Sequence, residues 1–289
     1  MADMTTISNE FLTATISPLG SELQALRSAD GRDWLWDGDP AWWSGRSPIL
    51  FPVVGKAPGD QLTIDGATYP MNQHGFARKS AFTLLDAGLS FCRYELTAND
   101  ETKVQYPFDF TLMLEHRLDG PSLSVSATVS NPGEKGLPFT IGYHPAFCWP
   151  LPGSEGHHHI VLLDNRAEPP LSRLEGGLRR PELLASPFSE GRLALDPRLF
   201  AEDAMIFPEG AGKGLSYGVD GGPMLHFTFE NLPHLALWTK PGAPYLCIEP
   251  WHGTAPISGT GDDIADRPGA MELAPGESQK FAFTVTLPL

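Results

Sequence analysis

Strict two-residue alternation constrains this chain more than any other feature. Leu123, Val125, Ala127 and Val129 are each separated by Ser or Thr. The same period recurs in Phe108, Phe110, Leu112 and Leu114, and again in Phe281, Phe283, Val285 and Leu287. Side chains on a strand point alternately to opposite faces, so such runs are half-buried antiparallel strands. Asp119-Gly120 marks the turn between two of them, and Asp220-Gly-Gly222 the turn of a further hairpin over 214–219 and 224–229. The 30 glycines and 28 prolines punctuate the whole chain and favour short strands over long helices. Further strands are expected near 11–17, 22–27, 61–64, 68–71, 80–85, 90–96, 137–149, 214–219, 224–229, 235–239 and 245–249. No helix longer than two turns is expected, and 200–205 has room for one turn. Residues 150–190 are the least regular. No composition shift marks a boundary, so the reading is all-β, a single large sandwich over 1–289.

A formal charge of −15 repels nucleic-acid phosphates and anionic lipid, and neither is expected as a partner. The three cysteines, Cys92, Cys148 and Cys247, are widely spaced with no metal-ligand or disulfide pattern. No basic leader or long apolar run is present. The expectation is a cytoplasmic protein in a reduced compartment, monomer or homodimer, with no metal.

Chemistry concentrates in four stretches. The first is Tyr-Leu-Cys-Ile-Glu-Pro-Trp-His-Gly at 245–253. Proline holds the preceding residue extended and is poorly tolerated inside a central strand, so the strand is expected to end at Glu249. Tyr245, Cys247, Glu249 and Trp251 then share one face. An acid among aromatic groups loses solvation, which raises its pKa toward that of a working proton acceptor. The second stretch is Asn-Gln-His-Gly-Phe-Ala-Arg at 72–78. If extended, it aims His74, Phe76 and Arg78 one way, as a polar ligand with an apolar flank requires. A backbone-satisfied His74 with Arg78 in an ion pair explains it equally. The third carries His144 before Pro145, either a proton donor or a core histidine with one backbone partner. The fourth places Asp203 ahead of an apolar strand. Four tryptophans (Trp34, Trp36, Trp42, Trp43) read as a packed lid over the core, and the triple His157–His159 as a solvated loop. A glycosidase pair of Glu249 and Asp203 stays open.

Taken in order, Arg-Ser-Pro-Ile-Leu-Phe-Pro-Val-Val-Gly-Lys (46–56), the 72–78 segment, Gly-Tyr-His-Pro-Ala-Phe (142–147), Phe-Ala-Glu-Asp-Ala (200–204) and Ile-Glu-Pro-Trp-His-Gly (248–253) resemble the aldose 1-epimerase superfamily, in its LacX-like branch. The resemblance runs over nearly the whole chain. It implies a galactose mutarotase-like β-supersandwich of antiparallel strands with few short helices. It also implies interconversion of sugar anomers without a cofactor. Glu249 falls at the family's catalytic base and His144 at its acid. His74 and Asp203 fall at substrate-binding positions, with Arg46, Arg78 and Lys56 where related branches place positive groups. The implied partner is a small sugar, a hexose or hexose phosphate. A non-catalytic sugar-binding protein of the same fold is the alternative.

Overall fold

Strand pairing follows the alternation closely. The computed structural model describes residues 3–164, 167–261 and 263–288. Thr111–Asp119 pairs antiparallel with Ser122–Ser130, Asp119 opposite Ser122, so Gly120-Pro121 is a two-residue turn. Gly120 takes a left-handed φ of 52°, which a side chain would resist. On the other side Ser122–Ser130 pairs with Ser278–Thr286 along its full length. The odd-numbered residues Leu123, Val125, Ala127 and Val129 are buried, and the Ser and Thr between them are only partly so.

Among the described residues these strands are the middle of a nine-stranded sheet. Its order runs from Arg192–Ala194 through His159–Leu162, Gly214–Gly218 and Met224–Glu230 to Ser278–Thr286. It continues through Ser122–Ser130, Thr111–Asp119 and Phe91–Thr97 to the edge strand Thr83–Ala87. A second sheet runs Met205–Phe207, His234–Trp238, Tyr245–His252, Ile141–Tyr143, Ile49–Leu50, with Ala146–Cys148 also paired to Tyr245–His252. The two sheets pack face to face. Tyr143 meets Phe283 edge to face at 5.0 Å between ring centroids, and Phe147 meets Phe227 the same way at 5.1 Å. The α-helix Asp100–Lys103 is a single turn closed by an Asn99–Thr102 capping box. No helix among the described residues is long and apolar enough to cross a membrane.

Several expectations are corrected. The helical turn near 200 lies at Pro197–Phe200, ahead of the predicted 200–205, because Asp196 caps it and proline starts it. Residues 137–149 form three short strands, Leu137–Phe139, Ile141–Tyr143 and Ala146–Cys148, instead of one. The His157–His159 run is not a solvated loop: His158 and His159 are buried, and His159 opens the strand His159–Leu162.

The strand holding Glu249 does not stop at the proline. It runs Tyr245–His252 straight through Pro250. The reason lies in its neighbour. Ala146–Cys148 pairs with residues 245–247 and Ile141–Tyr143 with 251–252, leaving His144-Pro145 opposite the gap. The amide of Ile248 still bonds the Pro145 carbonyl at 3.1 Å. Two residues on, the position that lacks an N–H faces the place where no ladder partner is available, so proline removes no sheet hydrogen bond there.

Gly142 stands directly opposite Trp251, and a β-carbon there would lie 2.3 Å from Trp251 Cδ1. The indole therefore lies flat over a position that must be glycine. Gly142→Ala is expected to lose about 1–3 kcal/mol of stability through overpacking and to displace Trp251. Urea unfolding followed by tryptophan fluorescence checks this, and an unchanged midpoint and spectrum would contradict it.

Candidate active site

Strand alternation splits the second sheet into two faces. Leu246 and Ile248, with Leu235 and Leu237 beside them, point into the main core. Tyr245, Cys247, Glu249 and Trp251 point the other way, as the sequence indicated. Across the sheet Ile206, Ala236 and Glu249 form one row. Over this row lies a pocket of about 270 Å³, near the small end of the range for small-molecule sites, roughly 300 Å³. Glu249, Trp251, Trp238 and Ile206 line it from the sheet, together with His144 from the gap in the ladder. Trp43, Gln73, His74, Arg78 and Asp203 line it from loops.

Glu249 is 2% exposed, and its Oε2 lies 3.3 Å from His144 Nε2. Burial raises the Glu249 carboxyl well above its ordinary value of 4.5, and the negative Asp203 raises it further. The Trp251 indole N–H, which satisfies no hydrogen bond among the described residues, acts in the opposite sense. Burial pushes His144 down to about 3, partly offset by a backbone hydrogen bond, with the Arg78 charge lowering it further. The folded pair thus holds one proton over a wide pH range, and burial favours the neutral arrangement with that proton on Glu249. The rings of Trp43 and Trp238 enclose His144 at 4.8 and 5.6 Å.

The 72–78 segment is not extended. His74 has a left-handed φ of 66°, Gly75 follows at 71°, and Ala77–Lys79 is a turn of 3-10 helix. A β-carbon on Gly75 would sit 2.1 Å from the Phe51 carbonyl oxygen, so glycine is what lets the turn close on the sheet. The His74 amide donates to the Gly55 carbonyl at 2.8 Å, and the Gly55 amide donates to His74 Nδ1 at 3.1 Å. With Nδ1 accepting and burial pushing its pKa well below 6.5, His74 is a neutral imidazole whose proton sits on Nε2. Asp203 also has a left-handed φ of 66°. Two candidate residues thus sit on sparsely populated backbone, a pattern that concentrates at functional sites.

Arg78 reaches the pocket, where its Nη2 donates to the Gln73 carbonyl at 2.8 Å. No carboxylate among the described residues comes within 4 Å of it, so the ion pair of the alternative reading is absent. Phe76, proposed as a platform, is in the core against Phe51, Tyr106 and Phe110, and Tyr143 is likewise a core residue. Arg46 is a further correction. Its guanidinium donates to the Gln24 carbonyl and side chain at 2.8 and 3.1 Å, and it does not line the pocket. Glu22 holds the Arg46 amide, which turns the side chain toward that strand. Lys56 is 3.8 Å from Asp60 and also lies outside. The sequence reading missed Trp238 and Gln73, and it took Trp43 for lid packing. Trp238 had a usable signal: it ends a strand beside an acid-bearing one.

The pair's proton inventory fixes a pH profile. The unfolded chain holds two protons on these groups below pH 4.5, one from 4.5 to 6.5, and none above. The folded pair holds one from about pH 3 up to the raised carboxyl value. The pair's contribution to stability therefore rises from about pH 3 to 4.5, is flat to 6.5, and falls above that. Glu249→Gln leaves only His144, so its curve should climb to pH 6.5 and stay level. Urea unfolding across the pH range tests this; parallel alkaline declines in both proteins would refute a buried, protonated Glu249.

Residues 3–166 match the aldose 1-epimerase family profile. The chain is 30% identical to the chromosomal LacX protein of Lactococcus lactis subsp. lactis, over 97% of this chain and 98% of that protein. A galactose mutarotase related enzyme from Lactobacillus acidophilus superposes with a TM-score of 0.93 at 27% identity, covering 99% of this chain and 98% of that one. A galactose mutarotase-like protein from Lactobacillus casei ATCC 334 gives 0.92 at 30% identity, covering 99% and 100%.

Proposed function

The chain belongs to the aldose 1-epimerase family, and from that premise we propose that it interconverts the α and β anomers of a neutral hexose by acid–base ring opening and closure. The observation that carries this reading is the buried contact between Glu249 and His144 in the wall of a sugar-sized, tryptophan-lined pocket. A proton shift from Glu249 to His144 turns the neutral pair into a carboxylate beside an imidazolium. No proton need come from solvent. The carboxylate removes the anomeric O1 proton and the imidazolium protonates the ring oxygen. The C1–O5 bond breaks, the aldehyde rotates about C1–C2, and the ring closes on the other face with the roles exchanged. The proton transfers balance without metal, nucleotide or redox partner.

The other groups hold the sugar. His74 donates through Nε2–H, Asp203 accepts from hydroxyls, and Arg78 donates from a guanidinium that meets no carboxylate among the described residues. Trp251, Trp238 and Trp43 cover the apolar C–H faces. The Arg78 guanidinium in the pocket also favours a second reading, a hexose phosphate. Two features weigh against it. Arg46, the second arginine of a phosphate fork, is engaged with Gln24, and the Asp203 carboxylate lies in the same pocket. The three free cysteines fit a reducing, cytoplasmic setting.

Glu249→Gln should lower kcat by roughly 10²–10⁴-fold with sugar binding largely kept, and His144→Asn should do the same. NMR anomer exchange, with buffer catalysis subtracted, measures this. Binding without turnover in the wild type would instead make it a sugar-binding protein. Glucose and galactose should exchange faster than their 6-phosphates, and Arg78→Ala should weaken neutral sugars through KM. A strong preference for the 6-phosphate, lost in Arg78→Ala and fading as salt rises, would reverse the choice of substrate.

A further inference from the structure

The proton chemistry leaves one buried group beside the reacting pair without a task. Cys247 precedes Glu249 by two residues on the same strand face and is fully buried. His144 Nε2, Cys247 Sγ and a Glu249 carboxylate oxygen all lie within 4.8 Å of one another. We propose that these three side chains form a binding site for a divalent cation of the Zn²⁺ class, and that the bound ion switches the acid–base pair off. The second half of the proposal rests on the anomer-exchange reading; the first does not.

The donor set is one such ions select. Imidazole nitrogen, thiolate sulfur and carboxylate oxygen are the three protein ligands of Zn²⁺, at about 2.0–2.3 Å from the ion. Tetrahedral bonds of that length separate neighbouring ligand atoms by roughly 3.3–3.8 Å. The His144–Glu249 separation of 3.3 Å already matches. The widest separation in the cluster needs to close by about one ångström, within reach of side-chain rotation. Thiolate and imidazole together exclude the harder Mg²⁺ and Ca²⁺, which take oxygen ligands. A thiolate and a carboxylate also neutralise the ion, so the occupied site places no net charge among the surrounding apolar groups.

Three protein ligands leave the fourth position open toward the pocket, where Glu249 and His144 line the wall. Binding releases two protons to solvent, one from the Cys247 thiol and one from the Glu249 carboxyl, and the ion takes the lone pairs of the Cys247 thiolate, His144 Nε2 and the Glu249 carboxylate. Neither His144 nor Glu249 can then accept a proton, so inhibition follows from coordination and needs no conformational change. Sequence spacing hides the site because His144 lies more than a hundred residues from Cys247. Sheet pairing joins them: Ala146 is the register partner of Cys247, and His144 occupies the adjoining gap.

The test uses the full chain, freed of metal by chelator and titrated with Co²⁺. One ion per chain should bind, with a thiolate-to-cobalt charge-transfer band and the strong visible bands of tetrahedral Co²⁺, both displaced by Zn²⁺. Cys247→Ser and Cys247→Ala should lose the charge-transfer band and bind Co²⁺ at least tenfold more weakly. Thermal melts establish that each variant is folded, and His144→Asn serves if neither is. Zn²⁺ should suppress wild-type anomer exchange, chelator should restore it, and each Cys247 variant, relative to its own metal-free rate, should need at least tenfold more Zn²⁺. Absence of a thiolate band, or a band retained in the folded Cys247 variants, overturns the site. A band with no effect on exchange overturns the inhibitory role. A protein inactive toward every sugar defeats the anomer-exchange reading, while the cobalt spectra still decide the site.

Discussion

Everything distinctive in this molecule depends on keeping a carboxyl and an imidazole together out of water. An isolated buried charge is costly, so each group is driven toward its neutral form, Glu249 upward and His144 downward. At 3.3 Å the two lie close enough to exchange a proton, and in the proposed reaction moving it across creates an acid and a base at once. The low dielectric that suppresses ionisation also strengthens the attraction between the ions when they form. The tryptophans around His144 maintain that environment, and Asp203, at the exposed rim, biases it electrostatically.

The sheet creates the contact by an interruption. Two strands take turns beside Tyr245–His252, and His144-Pro145 fills the space between them. A continuous ladder there would give both side chains a regular register and leave no recess. Proline on each strand, Pro145 and Pro250, lacks the N–H that such a ladder would require. The same interruption brings His144 within reach of Cys247, so the proposed acid–base chemistry and the proposed metal site draw on one geometry. The loops add groups that the sheet cannot supply. Gly55 fixes the tautomer of His74 through its backbone, and left-handed backbone at His74 and Asp203 turns both side chains inward.

The pocket sets one guanidinium, Arg78, beside the carboxyl groups of Asp203 and Glu249. The chain carries −15, yet Arg78 meets no carboxylate within ion-pair distance among the described residues. A guanidinium left this way is available to hydroxyl oxygens, while nearby Asp203 limits its appeal to phosphate.

The sequence by itself determined most of the strands, because a two-residue hydrophobic period has one structural solution; the alternating runs lie on strands with the expected face inward, except that Phe108 and Phe110 precede the strand Thr111–Asp119. It also determined that Tyr245, Cys247, Glu249 and Trp251 share a face, since that follows from parity alone. Its order of motifs pointed to Glu249, His144, His74, Arg78 and Asp203, all of which reach one pocket. Only the tertiary structure decided what depends on non-local pairing or on loop backbone. Pro250 reads as a strand end until its neighbour is seen to change partners. The 72–78 segment reads as extended, but a left-handed turn at His74 and Gly75 sends Phe76 to the core and keeps His74 and Arg78 in the pocket. Arg46 opens a matching motif yet follows Gln24 and Glu22, residues more than twenty positions away. Side-chain direction in a loop is set by such distant hydrogen-bond partners, and sequence periodicity carries no record of them.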